Sequence, residues 1–242
     1  MPNIEITSAY FSDLGVIQYH QIQLNSIELH KIDIQLDHQQ DLLVLYQKFN
    51  IHIPENIKNA CFKRKNEFFI GRLAAQYALK SLNHPHNFIL HKGQHGEPIW
   101  PNNHFGSLSH SMHCPNTGTA IACVNREKYV GIDIELKPNQ QMLHDNQDML
   151  NHFLSAFELK YLFNFKQFEQ YLYLIVFSAK ESTIKAVYSK YKIMLSFLEI
   201  QLMTIDCVKN TICFHIHTAR INLKITAHYV FLENEIFTYS LI

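Results

Sequence analysis

The chain has 242 residues, 47% hydrophobic, 12% aromatic and 17% charged, which excludes a disordered protein and suits one large domain or two small ones. Lys plus Arg and Asp plus Glu both number 21, so bulk charge argues neither for nor against a polyanionic partner, and no nucleic-acid partner is expected. Five cysteines without a C-x-x-C pair, an opening "MPNIEITSAYF" without a basic start, and no apolar run of about 18 residues point to a reduced, cytoplasmic protein with no signal peptide and no membrane span.

Residues 3–36 alternate Ile, Tyr and Leu with polar residues, as in "VIQYHQIQL" and "IELHKIDIQL", which predicts short strands. "DHQQDLLVLYQKF" reads as a helix. Apolar residues at helical spacing, among them Cys61, Phe62, Phe69, Leu73 and Tyr77, predict one helix over residues 55–82. Gly and Pro cluster in "GQHGEPIWP", a loop. "GSLSHS", "TGTAIACVN" and residues 129–136 read as strands. "SAFE", Ser155 to Glu158, is a capping-box pattern that opens a helix, and a longer helix is expected over residues 167–189. The tail returns to strands in "LEIQLMTI", "TICFHIHT", "INLKITAHYVFL" and "EIFTYSL". Each half carries a long helix and several strands, so the element order predicts a two-lobed α+β fold.

Four clusters carry candidate chemistry. In "YVGIDIEL" the alternation of a strand puts Asp133 and Glu135 on one face, where two carboxylates repel, more so when buried. A solvated strand edge would tolerate the pair. A hard cation would resolve it: Mg²⁺ takes a few carboxylate oxygens and completes its shell with water and substrate phosphate. In "FSAKESTIKAVY", Glu181 and Lys185 are four apart and share a helix face. They read either as an exposed ion pair or, since Phe177, Ile184 and Val187 argue for burial, as a third carboxylate with a lysine where a phosphate arrives. In "GSLSHS", Ser107, Ser109 and Ser111 share one strand face and His110 points to the other; hydroxyls and an imidazole suit a phosphate, and an ordinary polar strand end reads the same. In "KRKNEFFIGR", Arg64 and Arg72 are eight apart, about two helical turns, either as solvated charge or as a grip on a distant phosphate.

In their order along the chain, "RKNEFFIGRLAAQYAL", "GEPIWP", "FGSLSHS", "VGIDIE" and "FSAKESTIKA" resemble the motifs of the Sfp-type 4′-phosphopantetheinyl transferases. The Phe-x-x-Lys-Glu-Ser form resembles their siderophore-associated branch, the one like enterobactin synthase component D. The resemblance covers roughly residues 62–188. It implies two pseudo-symmetric α+β lobes, residues 1–126 and 127–242, with the active site in the cleft between them, and a monomer. It implies coenzyme A as substrate, Mg²⁺ on its pyrophosphate, and attack on the β-phosphorus by a serine of an apo acyl, peptidyl or aryl carrier protein, with 3′,5′-ADP leaving. Asp133, Glu135 and Glu181 are then metal ligands. Glu181 is alternatively the group that activates the serine, directly or through a water on the metal. Lys185 resembles the family's pyrophosphate-contacting lysine, with Lys180 a further contact. Ser109 and His110 match the Ser-His that meets the nucleotide phosphates, and Arg64 and Arg72 the basic pair of the 3′-phosphate. His95 stands where relatives often carry Lys. Either a bound phosphate raises its proton affinity, or Lys92 substitutes, or this contact is weaker. Glu158 falls on a recurring Glu, for which its capping role is sufficient explanation.

Two other readings use the same residues. A Mg²⁺-dependent phosphohydrolase also needs three acids and a lysine. A non-catalytic lobe pair would bind carriers or nucleotides, although a decayed site would be free to lose Asp133, Glu135 or Glu181.

Overall fold

The computed structural model describes residues 3–12 (backbone only), 15–24, 27–37, 42–85, 88–165 and 170–242. The chain is α+β and divides into two compact units, Met1–Glu127 and Lys128–Ile242.

In the first unit, β1 (Asn3–Ser12), β2 (Gly15–Gln23) and β3 (Glu28–Leu36) form an antiparallel meander. Then come α1 (Leu42–Lys48), α2 (Glu55–Lys58), α3 (Phe62–Ser81) and the hairpin of β4 (Phe105–Cys114) and β5 (Thr117–Asn125). The strand order is β1-β2-β3-β5-β4. Of the helix expected in "DHQQDLLVLYQKF", residues 38–41 lie outside the described residues and the rest is α1. The single helix expected over residues 55–82 is two: Cys61 is extended, at φ −63° and ψ 159°, and serves as the N-cap of α3. Apolar spacing runs through that break, so periodicity alone does not reveal it. From α3, Phe69, Ile70, Leu73, Ala74 and Ala78 are buried against Ile32, Ile34, Ala120 and Ala122 of the sheet. Each large side chain buried there contributes about 1.5–3 kcal/mol.

The second unit runs β6 (Val130–Leu136), α4 (Asn139–Asp145), α5 (Gln147–Phe153), α6 (Ala156–Phe163), α7 (Leu172–Tyr191), β7 (Ile200–Asp206), β8 (Thr211–His217), β9 (Asn222–Phe231) and β10 (Glu235–Leu241). Its sheet order is β6-β10-β9-β8-β7, antiparallel throughout. The capping box at Ser155 is complete: Ser155 Oγ accepts from the Glu158 amide at 3.3 Å, and Glu158 Oε2 accepts from the Ser155 amide at 2.7 Å. The long helix expected over residues 167–189 spans Leu172–Tyr191, ending where Lys192 turns left-handed at φ 56°; residues 166–169 lie outside the described residues.

The two units share a plan. In each, one strand leads through helices to a 20-residue helix, and the last strand returns to pair beside the strand that preceded them: β5 beside β3, and β10 beside β6. Among the described residues no helix is long and apolar enough to cross a membrane.

Candidate active site

The acid group is built where α7 lies on β6. A Cβ on Gly131 would collide with the Ser182 carbonyl oxygen and the Ala186 amide of α7. Only glycine admits the helix this close. Small residues line the same seam: Ser178 and Ser182, one helical turn apart, meet Thr238 and Ser240 of β10 at 3.0 and 3.4 Å. Two residues past Gly131 on the same face is Asp133.

Asp133 is 4% exposed and fully engaged by α7. Its Oδ2 accepts from Ser178 Oγ at 2.8 Å and its Oδ1 from Lys185 Nζ at 2.7 Å. Lys185 also donates to the Ile132 carbonyl at 3.0 Å. Burial works to lower the Lys185 ammonium, but Asp133, then Glu181 and Glu135, outweigh it and hold the proton more tightly than usual. The simple reading of Glu181 and Lys185 as a mutual ion pair does not hold: the lysine reaches Asp133.

Glu135 accepts from Asn139 Nδ2 at 2.9 Å. Burial, and then the charge of Asp133, push its carboxyl up to about 8. Glu181 is raised as well, by burial first and with Asp133 adding to it against Lys185. Among the described residues Glu181 makes no hydrogen bond or ion pair. So three carboxylates face one ammonium, and two of them, Glu135 and Glu181, hold a proton more readily than a free carboxylate does. That surplus of acid fits a hard divalent cation, since all-oxygen carboxylate donors are what Mg²⁺ prefers. Among the described residues no three such side chains converge as a ready ligand set.

Lys180 is corrected. Its side chain is 0% exposed and its ammonium is spent on Glu158 Oε1 at 2.7 Å, the Phe153 carbonyl at 2.8 Å and the Phe197 carbonyl at 3.2 Å. Three donors have three protein acceptors, so none is left for coenzyme A. Glu158 also accepts from the Leu202 amide at 2.8 Å. The pair locks α7 to α6, α5 and β7, and so fixes the helix that carries Glu181 and Lys185.

The cation group belongs to the first unit. Arg64 is half-buried and pairs with Glu67 at 2.9 Å. Arg72 is 8% exposed, its Cζ stands 4.6 Å from the centre of the Phe68 ring, and its Nε has no hydrogen-bond partner. Burial pulls the Arg72 guanidinium down to about 10. His110 leans from β4 onto α3 at Gly71, next to Arg72: a Cβ there would lie 3.9 Å from its ring. Ser109 is buried on the opposite face of β4, paired with Ile121 rather than with His110's neighbour Ala120. His95 is exposed in the 93–101 loop, its amide donating to Glu97 Oε2 at 2.9 Å.

The sequence reading missed Ser178, Asn139 and Phe68. The recurrence of small residues at 178 and 182, opposite a strand glycine, was the available signal for the first.

The family model described as "4'-phosphopantetheinyl transferase N-terminal domain" matches residues 53–124, and that of the "4'-phosphopantetheinyl transferase superfamily" matches residues 129–239. The chain belongs to the 4′-phosphopantetheinyl transferase superfamily. The N-terminal match contains the whole cation group and the superfamily match the whole acid group. Over 160 residues the chain is 31% identical to enterobactin synthase component D of Salmonella typhi, covering 65% of this chain and 61% of that protein. It is 31% identical over 148 residues to the Escherichia coli K12 protein of the same name, covering 61% and 66%. It is 39% identical over 87 residues to 4′-phosphopantetheinyl transferase PptT of Mycobacterium tuberculosis, covering 34% and 37%. The chain thus spans 61% and 66% of the length of the two enterobactin synthase relatives it matches.

Proposed function

We propose that this chain transfers the 4′-phosphopantetheine arm of coenzyme A to a serine of an apo carrier protein. The observation that carries the reading is the acid group of Asp133, Glu135 and Glu181 with Lys185, assembled on the Gly131 seam within the stretch the superfamily model matches.

Asp133, Glu135 and Glu181 would hold Mg²⁺, which when bound supplies positive charge to the pyrophosphate of coenzyme A. The serine Oγ forms a bond to the β-phosphorus. The bond from that phosphorus to the bridging oxygen breaks, and 3′,5′-ADP leaves with the electron pair. Lys185, kept as an ammonium by Asp133, stabilises the charge that gathers on the departing phosphate. The serine proton must go to a nearby base. Glu181 takes either that proton or the third bond to the metal, and its raised proton affinity supports the first. Arg64, Arg72 and His110 take the nucleotide phosphates; Ser109 shares no face with His110, which weakens the case for the two acting together.

The similarity to proteins named enterobactin synthase component D supports carriers of siderophore assembly as the acceptors. Five free cysteines support a reducing compartment such as the cytoplasm. Both groups of residues lie on one chain, which supports a monomer.

The test is release of 3′,5′-ADP from coenzyme A, measured by chromatography with Mg²⁺ and an apo carrier. Release should require the carrier and vanish when its acceptor serine is replaced by alanine. Release that ignores the carrier would refute transfer.

A further inference from the structure

We infer that Asn139 is a positioning residue for the metal: its side-chain amide holds one oxygen of Glu135 and so aims the other at the ion. This rests on the Mg²⁺ reading above and adds the residue that orients the second of its three carboxylates.

The acids are held in different ways. Asp133 is fixed by Ser178 and Lys185, both on α7, at 2.8 and 2.7 Å. Glu135 lies two residues further along β6 and takes no hydrogen bond from α7 among the described residues. Its one such bond there comes from Asn139 Nδ2, which donates to Oε2 at 2.9 Å. Oε1 keeps its lone pairs for another ligand. A glutamate side chain has several rotatable bonds, and the strand backbone fixes only where it starts. The amide on Oε2 therefore decides where Oε1 points. An amide suits the task because it donates without adding a positive charge to repel the ion or a further negative charge to crowd the acids.

A clamp orients only if it is itself held. Just before Asn139, the Lys137 amide donates to the Asn234 carbonyl at 2.9 Å, and Lys137 Nζ donates to the Leu232 and Glu233 carbonyls at 2.6 and 2.7 Å. These bonds tie the segment to the turn between β9 and β10. Pro138 then bends the chain into α4 at φ −58° and ψ −23°. Just after Asn139, Gln140 Oε1 accepts from the Leu174 amide at 3.0 Å. That amide lies in the first turn of α7, where a helix leaves its N–H groups without partners of its own. Further along α4, Leu143 is buried in the core of the unit. Asn139 thus stands between two fixed points, and one of them is the helix that carries Ser178, Glu181 and Lys185. Groups that hold a metal ligand from behind in this way narrow its orientation and raise affinity for the ion.

Two measurements on the full chain with coenzyme A test this: the melting temperature across a Mg²⁺ titration, and the Mg²⁺ dependence of transfer to an apo carrier. The variants are Asn139→Leu, close in size without the donor, Asn139→Gln and Gln141→Ala. Asn139→Leu should melt like the parent without Mg²⁺. It should need about tenfold more Mg²⁺ for half of the melting rise and for half-maximal transfer, with near-parental kcat once Mg²⁺ saturates. Asn139→Gln returns the amide and should recover most of the affinity. Gln141→Ala breaks an exposed bond to Asp145 on the same helix and should move neither midpoint. The inference falls if Asn139→Leu keeps the parental midpoints. It falls equally if the variant melts lower without Mg²⁺, or loses kcat at every Mg²⁺ level, as a purely structural role would give. A parent with no Mg²⁺-dependent melting rise and no Mg²⁺-dependent transfer overturns the metal reading, and this inference with it. A parent that shows both beside an unshifted Asn139→Leu overturns this inference alone.

Discussion

Gly131→Ala tests how the acid group is built. The new methyl would meet the backbone of α7, with the Ser182 carbonyl carbon at 3.0 Å and its oxygen nearer still. The Ser182 carbonyl oxygen and the Ala186 amide nitrogen are the closest contacts, far inside the ordinary heavy-atom separation of about 3.5 Å, so the helix must retreat by roughly 1 Å or more at that point. Backbone cannot rotate aside as a side chain can. Overpacking costs about 1–3 kcal/mol in general, and the upper end, ~3 kcal/mol, is expected here. A retreat of that size also stretches the Lys185–Asp133 and Ser178–Asp133 bonds, now 2.7 and 2.8 Å, to or past the margin of hydrogen bonding. Urea unfolding at constant m-value should report the stability loss. Transfer should drop sharply at temperatures where circular dichroism still shows a folded chain. A variant within about 0.5 kcal/mol of the parent and fully active would refute the close helix–strand approach.

Lys180→Met should cost roughly 3–5 kcal/mol by leaving Glu158 buried without its cation, and Lys180→Met with Glu158→Gln should recover much of it in the same urea assay. Glu181→Gln should abolish transfer with a normal melting curve, since the side chain has no hydrogen bond to lose; near-parental activity would remove it from the site. Mg²⁺ with coenzyme A should raise the melting temperature of the parent and not of Asp133→Asn, and equal shifts would argue against an ion at Asp133. Burial lowers the His30 imidazole below its usual value while Glu28 pulls the other way. The unfolded chain therefore takes up that proton first, and stability should fall as pH drops below about 6.5 towards the folded value. His30→Gln should flatten that part of the pH–stability curve, and an unchanged slope would show that His30 is not its source.

Local patterns were legible where a residue's face follows from its own element. The alternation of "GIDIE" put Asp133 and Glu135 on one face, and helical spacing put Glu181 beside Lys185; the capping box at Ser155 was readable from four residues. What periodicity does not encode is the partner on another element. Lys180 stands beside Glu181 in the sequence, yet its fate is set by Glu158 on α6 and by carbonyls of α5 and the turn at Phe197. Lys92 and Phe68 are joined only once the loop closes against α3. The repulsion expected between Asp133 and Glu135 was correctly read, but part of it is relieved without a metal, by Lys185 and by a proton held on Glu135. The polar stretch of α4 and α5 carries too few apolar residues for its helices to be read from spacing. Asn146, whose side chain accepts from the Met149 amide at 3.2 Å, was the one start signal there.

Intact-mass spectrometry of an apo peptidyl carrier protein, incubated with this chain, coenzyme A and Mg²⁺, tests the central claim most directly. The carrier mass should rise by one phosphopantetheine, and the gain should disappear with Asp133→Asn or on chelation of the metal. A carrier of unchanged mass across a panel of siderophore, fatty-acid and polyketide carriers, with the parent chain folded and coenzyme A bound, would contradict it.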